Sequence, residues 1–326
     1  MKKFKTFSTL RGPRIFLTAS TALLIALFPQ FVHSQYHTHV AIMTLLYAVL
    51  SMSLNLVTGL AGQISVGHAA FYGLGAYTCS LLMLSAHVSF VPALLLGGVV
   101  AAAFGFLLGL PALRLKGNYL CIVTLGFGEL VRLVLLNYES LTRGSMGISN
   151  IPLPEIWGMT LTTKPHFYYL MAVLFFSSFL ILDGISRSRT GLLLATVRDD
   201  DIAASSIGVD IVFLKLSAFV VSAFFAGICG GFFAAYLSYI SPDSFTFKES
   251  ITILSMVILG GRGNMVGAVM GAVLLTVLPE SLRFVRDYRM ILYGMILVLA
   301  ITFKPDGLYG LRYRPRLSIA KRGDRK

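Results

Sequence analysis

Residues 187–215 read RSRTGLLLATVRDDDIAASSIGVDIVFLK, a polar island between two long apolar runs. It is longer than the few residues that usually join neighbouring helices, and it carries the marks of ordered structure. Thr190 can N-cap a short helical run. Asp199, Asp200 and Asp201 put carboxylates where a second short helix, from about Asp200 to Ile207, has its positive end. Gly208 can end that helix in a left-handed conformation, and Asp210 can cap the apolar helix that follows. A capped elbow of this kind, in a chain that is otherwise mostly hydrocarbon, reads as a cytosolic docking surface for another protein.

The rest of the composition sets the class. Of 326 residues, 56% are hydrophobic and 13% charged, and the mean hydropathy of +0.80 is far from that of a soluble domain. A bilayer core of ~30 Å takes about 20 apolar residues per helical span. Spans are expected near Ile15–Val32, Val40–Thr58, Ala69–Ala86, Val91–Leu110, Tyr119–Asn137, Phe167–Ile185 and Phe213–Leu237, with weaker ones near Ile251–Gly260, Val266–Leu278 and Met290–Phe303. The expectation is an all-α polytopic membrane protein of about ten transmembrane helices. Residues 15–310 form one transmembrane domain, with 187–212 as its cytosolic loop, between a basic arm (1–14) and a basic tail (311–326).

Lys and Arg set the orientation. The arm has Lys2, Lys3, Lys5, Arg11 and Arg14, and the tail Arg312, Arg314, Arg316, Lys321, Arg322, Arg325 and Lys326. Both termini are therefore expected in the cytosol, with Arg114, Lys116 and the island. The segment Tyr138–His166 falls outside. Arg283, Arg286 and Arg289 fit badly, landing on the outer side; the two short Gly-rich spans before them could instead be a re-entrant hairpin, with the same sidedness. The formal charge of +13 is thus largely topological. Basic residues that flank spans favour anionic lipid over nucleic acid. The first span could be a signal peptide cut near Val32-His33-Ser34, but an uncleaved span is expected. Cys79, Cys121 and Cys229 sit in apolar runs at unrelated spacings, as packing residues and not as a disulfide or metal set.

Little points to an enzyme. No Lys follows a Gly, so a GxxxxGK[ST] phosphate loop is excluded, and the six histidines give no HExxH. His33, His37 and His39 cluster in an expected outer loop without acidic or Cys companions, which reads as a solvated loop and not a metal site. No catalytic residue, metal or cofactor is expected.

The glycines say more. Leu54–Tyr77, LNLVTGLAGQISVGHAAFYGLGAY, carries Gly59, Gly62, Gly67, Gly73 and Gly75, and sets Asn55, Gln63, Ser65 and His68 at or near membrane depth. Such glycines can let helices approach closely. Alternatively the backbone breaks near Gly59–Gly67 and lines a pathway. The polar neighbours favour the break. Ile258–Leu274, ILGGRGNMVGAVMGAVL, is a similar run, and Val66-Gly67 and Val266-Gly267 hint at an internal repeat. Within Tyr119–Asn137, Glu129 and Arg132 are three residues apart on one helix face. Either they form a structural ion pair between helices, the favoured reading, or they contact substrate in a pore.

Taken in order, LNLVTGLAGQISVGHAAFYGLGAY, RLKGNYLCIVTLGFGELVRLVLLN, TRGSMGIS, RDDDIAASSIGVD and ILGGRGNMVGAVMGA resemble the LivM-type permease subunits of ABC importers for branched-chain amino acids, over about Ala41 to Gly310. The resemblance implies a bacterial inner-membrane subunit that imports Leu, Ile or Val. It also implies a second, related permease, two cytosolic ATPase subunits and an external solute-binding protein. Arg198, Asp199, Asp200, Asp201, Ile202, Ile207 and Gly208 would then belong to the element that couples to an ATPase. The translocation pathway candidates are Asn55, Gly62, Gln63, Ser65, Gly67, His68, Glu129 and Arg132. Permeases for urea and short amides resemble the same group. A secondary transporter would need midplane ion-coupling residues, for which the sequence offers chiefly Glu129 and Arg132.

Overall fold

The computed structural model describes residues 34–281 except 113, 114, 116 and 157, together with 294, 295, 298, 302, 303, 307 and 308. Helix α1 covers Gln35–Asn55 and continues as a π-helical turn over Leu56–Leu60. Then come α2 (His68–Ser85), α3 (Phe90–Ala112), α4 (Asn118–Asn137) and the short α5 (Glu139–Thr142). Strand β1 (Ile148–Ser149) precedes a hairpin of β2 (Glu155–Ile156) and β3 (Met159–Thr160). Helices α6 (Lys164–Arg187), α7 (Arg189–Asp199), α8 (Asp201–Ser206) and α9 (Ile211–Leu237) follow. Strand β4 (Tyr239–Ile240) pairs antiparallel with β1, Ile148 opposite Ile240. Helices α10 (Phe247–Gly260) and α11 (Met265–Ser281) complete the described chain.

The chain is all-α and polytopic. Among the described residues, five helices have the length and composition to cross a membrane: Gln35–Leu60, Phe90–Pro111, Tyr119–Asn137, Lys164–Arg187 and Ile211–Leu237. The expected spans from Val40 to Leu278 fall on α1, α2, α3, α4, α6, α9, α10 and α11. The arm, the span Ile15–Val32, most of Met290–Phe303, the tail, and the cations Arg114, Lys116, Arg283, Arg286 and Arg289 lie outside the described residues. One expectation needs correcting. His37 and His39 are not in a solvated loop: α1 starts at Gln35 and takes both into its first turns, where His39 Nδ1 lies 2.6 Å from the Tyr236 hydroxyl.

The centre of the bundle is α9 lying along α2 and α3. Backbones meet there because side chains are small. Gly75 faces the backbone of Gly227, and Gly230 faces the Tyr72 carbonyl. Lipid gives helices little drive to associate, so close van der Waals packing has to supply it. Phe219 and Phe232 of α9 are fully buried, as is Phe71 of α2, whose ring packs against Phe127 of α4.

The two ends of the bundle differ. At one end the π-turn of α1, the elbow α7–α8 and the turn between α10 and α11 come together. At the other, the segment between α4 and α6 covers the α2–α3 connection, where Pro152, Leu153 and Glu155 face Met83, His87 and Phe90 across an open depression.

Candidate functional site

Two helices begin inside the bundle and not at its ends. His68, first residue of α2, places Nε2 2.9 Å from Ser53 Oγ of α1. Ser53 is seven residues short of Leu60, so α2 starts about 10 Å above the end of α1. Helix α10 starts at the same level: Ser250 Oγ accepts the Ala69 N–H at 2.9 Å, and the Tyr47 hydroxyl, half-way along α1, donates to Glu249 Oε1 at 2.6 Å. Two helix N-termini, with their partial positive charge, therefore converge inside the bundle.

The backbone between α1 and α2 is interrupted, as the glycines lead one to expect. Gly62 has φ +71°, a conformation that disfavours any Cβ. A Cβ there would also stand 2.5 Å from Arg198 Cγ, while one at Gly67 would meet the Thr124 carbonyl of α4. The Val66 N–H donates to Thr124 Oγ1 at 3.0 Å, which fixes the returning strand against α4. The long Gly-rich run thus divides: Gly59, Gly62 and Gly67 serve the break, Gly73 makes room for the Phe245 ring, and Gly75 serves helix packing.

The pathway candidates are not equivalent. Asn55 is fully buried; its side chain accepts from Gly263 N–H at 2.8 Å and donates to the Asn264 carbonyl at 3.0 Å. It clamps the break to the α10–α11 turn. His68 is held by Ser53. Gln63 and Ser65 are buried too, yet Gln63 Oε1 and Ser65 Oγ find no hydrogen-bond partner among the described residues. Unpaired buried polar atoms are rare and call for a cause. On α4, Arg132 Nε lies 2.9 Å from Glu129 Oε2 and Nη1 3.7 Å from Asp243 Oδ1. A narrow crevice joins these elements, lined by Val66 and Ala69, by Gly128 and Glu129, and by Phe245 and Ser250.

The elbow is ordered much as its residues dictate. Its first cap is Ser188, not Thr190. Helix α7 already starts at Arg189, and the extended Ser188 accepts the Gly191 N–H on Oγ. The three carboxylates divide their work. Asp200 Oδ1 accepts from the N–H groups of Ile202 and Ala203 at 2.8 and 3.1 Å. Asp201 pairs with Lys215 of α9 at 2.9 Å, and Asp199 with Arg198 at 3.1 Å. Gly208, at φ +79°, ends the turn, and Asp210 caps α9 through the Phe213 N–H. Leu194, Val197 and Ala204 bury the elbow's inner face, whereas Ile202 and Ile207 are 76% and 69% exposed.

The family model described as branched-chain amino acid transport system, permease component, matches residues 36–301. The chain belongs to this family. It is 39% identical to the high-affinity branched-chain amino acid transport system permease protein LivM of Salmonella typhimurium, over 94% of this chain and 77% of that protein. It is 38% identical to the Escherichia coli LivM, with the same coverage. The Escherichia coli permease protein LivH is 24% identical over 81% of this chain and 91% of its own length. No solved structure matches.

Several residues that shape the site in this branched-chain amino acid permease family member escaped the sequence reading. Ser250 and Asn264 look like ordinary cap residues, and Thr124 only like a polar spot on α4. Asp243 and Glu249 lie in a stretch, SPDSFTFKES, whose polarity just before a short span was the available sign that a helix starts at depth.

Proposed function

We propose that this chain is a permease subunit of an ATP-driven importer that carries Leu, Ile and Val across the bacterial inner membrane into the cytosol, with both termini cytosolic. A second, related permease completes the pathway, two cytosolic ATPase subunits drive it, and an external solute-binding protein delivers substrate. The single observation that carries the reading is the family match along nearly the whole chain, together with 39% identity to a high-affinity branched-chain amino acid permease.

The geometry supports a pathway at the break. An amino acid brings a carboxylate and an ammonium group through an apolar barrier. The converging N-termini of α2 and α10 suit the carboxylate, and Glu129 suits the ammonium. Helix α4 is the least buried of the five long helices, and Ile122, Leu130 and Val134 on it are largely exposed. Lipid cannot satisfy the partly exposed Glu129–Arg132 pair at that depth. This face is the one on which the second permease closes the pathway. The exposed Ile202 and Ile207 of the elbow seat on an ATPase.

The test is uptake by proteoliposomes containing both permeases and both ATPases. Radiolabelled leucine is presented on the binding protein, with and without internal or external ATP at the nucleotide-binding side. The reading expects ATP-dependent leucine accumulation. Uptake of labelled urea or a short amide in place of leucine, or leucine uptake driven by an ion gradient without ATP, would overturn it.

A further inference from the structure

The elbow is joined through the chain to α6 and α9, but the interruption it would have to influence belongs to α1. One side chain spans that gap. Arg198 Nη1 donates to the Gly59 carbonyl at 2.9 Å, and its stem lies over Gly62, where the lack of a Cβ makes room for it. The guanidinium is aimed by Asp199 Oδ1, which accepts from Nε and Nη2 at 3.2 and 3.1 Å. The carbonyl it holds sits in the π-turn at the end of α1, where helix carbonyls lose their regular acceptor role. A charge-assisted bond to such a group is stronger than a neutral one.

The elbow end of this contact is stiff. Leu194 and Val197 are buried on either side of a turn of α7, and Asp201 is tied to Lys215 of α9. The far end leads onward. One turn before Gly59, Asn55 holds Gly263 and Asn264. A continuous set of contacts therefore runs from the elbow, through Arg198, to the interruption after α1 and on to the turn between α10 and α11.

We propose that Arg198 is a positioning residue that fastens the elbow to the interrupted end of α1, so that a displacement of the elbow is delivered to the break. It works inward, in contrast to Ile202 and Ile207, which face away from the bundle. The proposal rests on the importer reading above, and it names the residue that links ATPase movement to the pathway. A lysine can reach the carbonyl but cannot bond Asp199 and Gly59 together in one planar fork.

The experiment measures leucine uptake and ATP hydrolysis on the same proteoliposomes of the full complex. Wild type is compared with Arg198→Met, which keeps the stem, with Arg198→Lys, and with Ile202→Asp/Ile207→Asp. Arg198→Met is expected to co-purify with the ATPases and to hydrolyse ATP within about twofold of wild type, while leucine moved per ATP falls about five- to tenfold. Arg198→Lys should lie between, and the Ile202/Ile207 variant should lose ATPase co-purification instead. An unchanged uptake-to-hydrolysis ratio in Arg198→Met would overturn the proposal. So would a loss of assembly or folding in that variant, since Arg198 would then be part of the dock or of the core. If wild type itself shows no ATP-driven leucine uptake, the importer reading fails, and the two failures are told apart.

Discussion

The chain contains two Gly-rich interruptions, and they are built differently. The second, Gly261–Asn264, is a tight turn. Gly261 and Gly263 take positive φ, Asn264 Oδ1 caps α11 through the Val266 N–H at 3.0 Å, and Asn55 grips the turn from outside. The first, Leu56–Gly67, is longer and only partly satisfied. It has a π-turn, one strained glycine and two buried polar atoms, Gln63 Oε1 and Ser65 Oγ, without partners among the described residues, and it is tied to the elbow through Arg198 and to α4 through Thr124. A turn whose backbone is gripped by Asn55 and by its own Asn264 is suited to hold still. One with unpaired groups and outside handles is suited to move and to meet a polar solute. On the proposed function, the second interruption is structural and the first lines the pathway.

The most disruptive test of this contrast is at the residue that joins the two. Asn55→Leu removes one acceptor and one donor and leaves the Gly263 N–H and the Asn264 carbonyl buried. Each unpaired group costs roughly 1–3 kcal/mol, so a loss of about 2–5 kcal/mol is expected, read as a lowered unfolding temperature in detergent. A change smaller than about 1 kcal/mol would mean that the clamp is not what fixes the second turn.

Next come paired glycine variants. Gly62 and Gly263 have φ +71° and +81°, so alanine at either costs about 1–2 kcal/mol of backbone strain. Stability should fall in both. Leucine uptake should fall further in Gly62→Ala, because the new methyl group pushes on the Arg198 stem. Equal uptake losses would remove the functional distinction between the interruptions.

A smaller effect is expected at Glu129 and Arg132 on α4, beside the crevice lined by Val66, Ala69 and Ser250. Arg132→Gln takes away the partner of Glu129, and Glu129→Gln leaves Arg132 only its longer contact with Asp243, at a cost of about 1 kcal/mol given the partial exposure of both. The double variant should be better expressed and folded than the worse single. If it is not, the pair does not act as a unit.

Much of this was legible in the sequence wherever the rule is local. Apolar runs marked α1 to α4, α6 and α9 to within a few residues. Caps marked the elbow: Asp200, Gly208 and Asp210 act within three residues of themselves, and a linear reading finds such groups. The mistake at Thr190 was of the same local kind, since Ser188 is an equally good cap two residues earlier and the apolar pattern does not choose between them. The glycines with Gln63 and Ser65 marked the break. What stayed hidden depends on packing. The partner of Asp201 is fourteen residues away and that of Asn55 over two hundred. Whether a glycine serves a break or a helix crossing depends on what lies opposite, as Gly62 and Gly75 show. That α10 starts at depth follows from Ser250 meeting Ala69, which no periodicity announces.

The central claim is that the first interruption lines the pathway while the second does not. It is tested most directly by thiol accessibility in the assembled, ATP-cycling complex. In a background with Cys79, Cys121 and Cys229 replaced, single cysteines are placed at Ser65, in the first interruption, and at Met265, beside the second; both positions are buried in the resting fold. The account predicts that Ser65→Cys reacts with a small polar thiol reagent during ATP turnover, that modification blocks leucine uptake, and that leucine on its binding protein slows the reaction, while Met265→Cys stays unreactive. Equal reactivity at the two positions, or a Ser65→Cys thiol that remains unmodified in every nucleotide state, would contradict it.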